Sequence, residues 1–361
     1  MKFRFENLDS IRTFAFLSTF LAHAFHAETD AVVNNKGFQD LLEIREAFGF
    51  GVPVFFVLSG FLISYLMLKE QETNAKFNLG NFYIRRILRI WPVYFIVLLV
   101  GFVIFPIIRT AYLDGGYMET ANWLNYVLFL SNFDQISAGV LPYGVGLGPT
   151  WSVSVEEQFY LVWPLFILMF KRRKFIYPVL ISLVFSLVFT SVFNFEGKHT
   201  IYCMTYLSVG ALFAYLSYYY NDFILKITRV NSAFFIGNVL LMFFLMYSSM
   251  IYKLPFIFIL IIALLIGYGI VYQCYSGRFQ MKKIPFFERL GKYTYGLYLY
   301  HVICSAIVHI SFTEIFQIDE SMLNVIVIKP VICLVLSIIV SVISYKYIES
   351  FFLNLKKRFS P

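Results

Sequence analysis

The chain has 361 residues, 60% of them hydrophobic and 14% charged, with a formal net charge of +8. Soluble domains carry about 25% charged residues, so this balance, with a mean hydropathy of +0.73, excludes an ordinary globular protein and predicts an all-α, polytopic membrane helical bundle. No polar stretch is long enough to enclose a second core, so residues 1–361 read as a single membrane-embedded domain. The positive charge lies in short connections between apolar runs and implies no nucleic-acid partner.

Apolar runs of membrane-spanning length fall near 9–27, 48–68, 88–108, 152–170, 175–193, 201–220, 232–250, 254–273, 293–312 and 324–348. Ten spans put both termini in the cytoplasm. The basic segments 69–89, 171–174, 226–229, 278–292 and 356–358 then share one side, and Lys36, Arg45, Arg109, Lys198 and Lys253 face the other. A cleaved leader is disfavoured because Asp9 and Arg12 interrupt the first apolar run. Residues 123–130 are too few to cross and are read as interfacial or re-entrant. The long connection 107–150, rich in glycine, reads either as a lid or as a plain connector. Cys203, Cys274, Cys304 and Cys333 lack metal-ligand spacing and read as small buried hydrophobes, with no disulfide and no metal.

The first span carries Arg12 and His23. An ionisable group in an apolar helix costs about 2.5–3.5 kcal/mol and marks a site or pathway by default. Eleven residues bring the helix back to within ~20° of its starting face and place the pair ~16 Å apart. One groove could therefore hold Arg12 near one membrane surface and His23 near the other. Asp9, three residues before Arg12, is positioned to pair with it. The competing reading has Arg12 snorkelling to the surface and His23 merely interfacial, as His26 is read to be.

The second span contains the notch Ser59-Gly60, which reads as helix packing before it reads as a nucleophile. At the mouth of the third span lie Arg85, Arg86 and Arg89, followed by Trp91, Pro92 and Tyr94. Guanidinium forks suit phosphate, although a positive-inside anchor needs no more than this. The fourth span opens with Trp151, Ser154, Glu156, Glu157 and Gln158. Ser154 and Glu157 fit a capping box, yet two carboxylates exceed what a cap requires. A carboxylate beside His23 would raise its basicity and fix its tautomer. His301 in the ninth span follows Tyr295, Tyr298 and Tyr300 and reads equally as functional or as hydrogen-bonded to tyrosine. Glu349 ends the last span and is expected to pair with basic residues. His199 and His309 show no pattern.

Taken in order, these blocks resemble the integral-membrane acyltransferase family 3, bacterial O-acyltransferases of surface glycans and related molecules. Arg12 and His23 match its Arg-x10-His signature. Residues 55–62 match its second-helix block, Arg86 and Arg89 its RxxR element, 150–164 its most recognisable block and 293–301 its tyrosine-histidine block. The resemblance covers about 8–352. The chain departs from the family pattern after Glu349, where a proline is usual, and the appended hydrolase-like domain of some members is not expected within residues 1–361.

The resemblance implies transfer of an acyl group, acetyl by default, from cytoplasmic acyl-CoA to a hydroxyl of a glycan or lipid-linked glycan acceptor of the cell envelope. It implies a multi-pass protein of the cytoplasmic membrane, in contact with lipid and using no metal. Arg86 and Arg89, with Arg85, would hold the CoA phosphates. His23, oriented by Glu157 or Glu156 and with Arg12 nearby, would be a general base or a transient acyl carrier. Asp9, Ser59, Tyr94, Trp151, Gln158, His301 and Glu349 would support the site. The rival is a transporter or flippase of lipid-linked glycans that consumes no acyl-CoA.

Overall fold

The protein is described by a computed structural model covering residues 5, 7–73, 77–112, 119–170, 172–195, 197–252, 255–278 and 281–359. Lys76, Lys171 and Lys253, used above for sidedness, lie outside the described residues, as do Lys2 and Arg4 before the first span. All regular structure among the described residues is helical. Ten long helices organise it: α1 Leu8–His23, α2 Gly51–Thr73, α3 Leu79–Leu99, α4 Thr150–Met169, α5 Ile176–Phe193, α6 Thr200–Tyr219, α7 Ser232–Tyr252, α8 Ile257–Tyr275, α9 Thr294–Ile310 and α10 Lys329–Ser344. Eight helical segments, containing α2, α3 and α5–α10, are long and apolar enough to cross a membrane. The protein is therefore a multi-pass membrane protein. Helix α1, at 16 residues, is shorter than these segments, and α4 carries Glu156, Glu157 and Gln158 among its apolar residues.

Backbone contact between small residues sets the tightest packing. A Cβ on Gly60 of α2 would lie 2.0 Å from the Leu207 carbonyl of α6, and one on Gly210 would lie 2.1 Å from the Val57 carbonyl. The notch at Gly60 is thus a helix crossing, the small-residue packing that apolar surroundings favour. Helix α1 packs on α2, on α9 and on the short helix Pro285–Gly291. There Gly291 admits the Asp9 carbonyl and Thr13 Oγ1 donates to Phe287 O at 2.7 Å. All four cysteines are free.

The described part of the long connection is folded. Helices Trp123–Val127 and Ser131–Ala138 are pinned by Tyr94 Oη donating to Tyr126 O at 2.8 Å and by Gln158 Nε2 donating to Phe129 O at 2.7 Å. The Glu119 carboxylate gathers the backbone N–H groups of Ala121 and Gly144 at 2.9 and 2.7 Å, satisfying donors a turn would otherwise leave open. Trp123 and Leu128 stay exposed, as an interfacial segment requires. Gly115 and Gly116 lie outside the described residues.

One local expectation is corrected. Helix α4 begins at Thr150 with Pro149 before it, so Ser154 and Glu157 sit inside the helix and form no capping box. The fully buried Ser154 instead pairs its hydroxyl with Ser131 at 2.7 Å. The first turn is closed by Thr150 Oγ1 on Leu147 O at 2.6 Å.

Candidate functional site

A cavity of about 130 Å³ lies where α1, α2, α3, α4 and α9 meet. Its polar lining is Arg12, Ser59, Arg86, Arg89, Ser152, Glu156, Tyr160, Thr294, Tyr295 and Tyr298, and the rest is apolar, including Phe55 and Phe56. A second cavity, about 190 Å³, lies toward the start of α1 among Asp9, Arg12, Tyr65 and Lys69. Arg12 borders both. Its Nη1 is held by Asp9 Oδ1 at 2.5 Å, the pairing expected from their i,i+3 spacing.

The three arginines of α3 separate into two roles. Arg86 and Arg89 line the cavity. Arg86 stacks over Tyr160 at 5.8 Å and Phe82 at 5.6 Å, and its buried Nε lacks a hydrogen-bond partner among the described residues. A planar guanidinium fork lining a cavity suits an oxyanion. Arg85 is turned away: Nη2 meets Glu70 Oε2 at 2.6 Å and Nη1 donates to Phe359 O at 2.7 Å. Its expected place in a phosphate site is therefore corrected to a buried structural pair. Lys356, which had been only one of several end-of-chain cations, is an electrostatic neighbour of Arg12, Arg86 and Arg89.

The carboxylates also divide. Glu156 lines the cavity and neighbours Ser59 and Tyr160, whose hydroxyls hydrogen-bond to each other. Glu157 lies behind it and accepts from Trp91 Nε1 at 3.0 Å. Gln158 faces elsewhere, tying α4 to Asn132 and Thr200. Trp151 packs on Phe56 with ring centroids 6.0 Å apart. Tyr94 is a fully buried strut stacked on Phe129. Glu349 sits in a π-helical turn, Tyr345–Glu349, a feature common near functional sites. Its electrostatic neighbour is Arg89, so it backs the cavity's cations as a basic-residue pairing would.

His23 is partnered by His301, not by Glu156 or Glu157. The rings are stacked 5.3 Å apart, with His23 Nδ1 3.0 Å from His301 Nε2. His301 is buried, and its Nδ1 lies 2.7 Å from Tyr298 O. A carbonyl only accepts, so His301 Nδ1 must carry the proton, which leaves Nε2 of the neutral ring as an acceptor. His23 Nδ1 then donates to it, and His23 Nε2 becomes the basic nitrogen. The relay does what a carboxylate was expected to do, fixing the tautomer, but without a charge. The His23 ring itself is exposed. It borders the fold's far end and not the cavity, and Tyr298, whose hydroxyl meets Ser152 at 2.6 Å, spans the two.

Sequence reasoning missed Tyr160, Ser152 and Lys356 as site residues. Tyr160 lies four residues after Glu156, on the same helical face, which was the available signal. The approach of Lys356 depends on tertiary packing alone.

Cations, a carboxylate and hydroxyls are thus gathered inside the helical bundle of a multi-pass membrane protein, with an imidazole pair beyond them. The chain matches the acyltransferase domain family (Acyl_transf_3) over residues 5–346 and belongs to it. It is 28% identical over 336 residues, 83% of this chain, to "Putative O-acetyltransferase SACOL0978" of Staphylococcus aureus. It is 31% identical over 159 residues, 41% of this chain, to "Peptidoglycan O-acetyltransferase OatA" of Listeria monocytogenes. The matched regions are 52% and 25% of those relatives, so the chain corresponds to about half of their length or less. No solved structure matches.

Proposed function

We propose that the protein is an O-acyltransferase of the cytoplasmic membrane, moving an acyl group, acetyl by default, from acyl-CoA to a hydroxyl of a cell-surface glycan or related acceptor. The observation that carries the reading is the cavity in which Arg12, Arg86 and Arg89 face Glu156 and Tyr160. The guanidiniums, with Lys356, take the CoA phosphates from the cytoplasmic side. The thioester lies along the seam toward Tyr298.

At the far end, His23 Nε2 removes the proton of the acceptor hydroxyl as its oxygen attacks the thioester carbonyl. The carbonyl carbon–sulfur bond breaks, and the imidazolium returns its proton to the CoA sulfur. General-base catalysis of this kind contributes about 10²–10⁴-fold. The names of the relatives support the reaction class.

The test is acyl transfer by the purified chain in lipid, with labelled acetyl-CoA as donor and glycan acceptors extracted from the envelope. Transfer that requires both His23 and the arginine pair supports the proposal. Movement of lipid-linked glycan across the bilayer with no consumption of acetyl-CoA identifies a flippase instead.

A further inference from the structure

Two histidine contacts join the end of α1 to α9. The inner one is His23–His301. In the outer one, His26 and His309 have ring centroids 5.0 Å apart, and Glu28 stands between them. His309 Nε2 lies 3.0 Å from Glu28 Oε1, and His26 Nε2 lies 3.9 Å from the same oxygen. One ligand atom from each residue falls within 4.8 Å of the other two. Donors at 2.0–2.2 Å from a tetrahedral ion stand about 3.3–3.5 Å apart, and the spacings here bracket that value.

We propose that His26, Glu28 and His309 bind a divalent transition-metal cation of the zinc class, with a fourth position open to water. Two imidazoles and one carboxylate form a donor set suited to zinc, whereas calcium and magnesium require six or more oxygens.

The backbone that carries Glu28 is already fixed for this purpose. The Glu28 and Thr29 N–H groups donate to Glu320 Oε2 at 2.8 and 2.9 Å. The other oxygen of Glu320 takes Lys329 Nζ at 2.7 Å. This buried ion pair neutralises Lys329 beside the site and presents the Glu28 side chain to α9. Bound metal would clip the segment after α1 onto α9, and so fix the register on which the His23–His301 contact depends. No linear spacing announces the cluster, because Glu28 and His309 are 281 residues apart.

The test uses the full chain in nanodiscs, carrying a purification tag without histidine and stripped with a chelator. Zn²⁺ is titrated, with bound metal measured by elemental analysis and thermal stability followed in parallel. One zinc per chain and a raised melting temperature are expected, with no uptake of Mg²⁺ or Ca²⁺. Glu28→Gln should weaken zinc binding about tenfold or more, and His26→Gln with His309→Gln should abolish it. His199→Gln, outside the cluster, should leave it intact. Wild-type protein that takes up no zinc overturns the proposal, as does uptake unchanged in Glu28→Gln and in the double variant. Should the double variant fail to accumulate, Glu28→Gln and His309→Gln alone decide the matter.

Discussion

Glu70 holds Arg85 at 2.6 Å in the bundle interior, and this contact separates Arg85 from the arginines that follow it on the same helix. Three cations of identical type within five residues therefore have two different fates. Arg85→Ala leaves an uncompensated buried carboxylate, a loss of about 3–5 kcal/mol for a broken buried pair. The expected outcome is lower thermal stability in detergent, with unchanged affinity for CoA in whatever fraction stays folded.

Arg86→Ala and Arg89→Ala should behave in the opposite way. Each removes charge-assisted hydrogen bonds worth about 1.5–3 kcal/mol, so CoA affinity should fall roughly ten- to a hundredfold per site with little change in melting temperature. The loss should shrink at high salt, because screening weakens the wild-type interaction too. Affinity measured by calorimetry at two ionic strengths checks this. Equal affinity in wild type and double variant would reduce the arginines to membrane anchors.

His23→Ala should lower acyl transfer about 10²–10⁴-fold while the protein still inserts. His301→Gln should also lower it, by a smaller factor, because His301 acts through His23. The discriminating readout is the pH–rate profile: loss of the partner that fixes the tautomer should move the acidic limb, which a general base governs, whereas a merely structural change would scale the whole profile. An unmoved profile in His301→Gln would remove the relay from the mechanism.

Glu320 provides a pH prediction outside the spans. Burial alone would raise its carboxyl, but hydrogen bonds from Lys329 and from the Thr29 and Glu28 N–H groups outweigh this and bring it down to about 2. A depressed carboxyl stabilises the fold above its ordinary value, and that contribution is lost as pH falls through the folded value. The stability gap between wild type and Glu320→Gln should be full above about pH 4.5 and should close toward pH 2. Thermal unfolding across that range measures it.

Gly60→Ala would drive a methyl group into the Leu207 carbonyl. Overpacking of this kind costs about 1–3 kcal/mol, and because the obstacle is backbone the upper end is expected. Reduced accumulation and melting temperature, shared by Gly210→Ala, would confirm the crossing. Ser59→Ala, one residue away but facing the cavity, should leave stability nearly unchanged.

Much of this was legible in the sequence, because hydropathy and charge act along the chain. The helical bundle, the Asp9–Arg12 pair and the spans containing α2, α3 and α5–α10 follow from local spacing, whereas Arg86 and Arg89 were set apart from Arg85 only by the family resemblance. Partners of His23 and Arg85 did not follow. Glu70 lies 15 residues before Arg85 and His301 lies 278 after His23, and only packing selects them from several chemically equivalent candidates. The capping box at Ser154 misled for a related reason. Its pattern was correct, but the helix had already begun one turn earlier at Thr150.

The crossing of α2 and α6 has a consequence for how such a protein can diversify. Two backbones in direct contact fix the distance of α2 from α6, so α2 has no slack on that side with which to back away from the cavity. A descendant adapted to bulkier cargo would have to find its room by trimming lining side chains such as Phe55 and Phe56 or by shifting α1, α3 or α9, and its tell-tale replacements would appear there first.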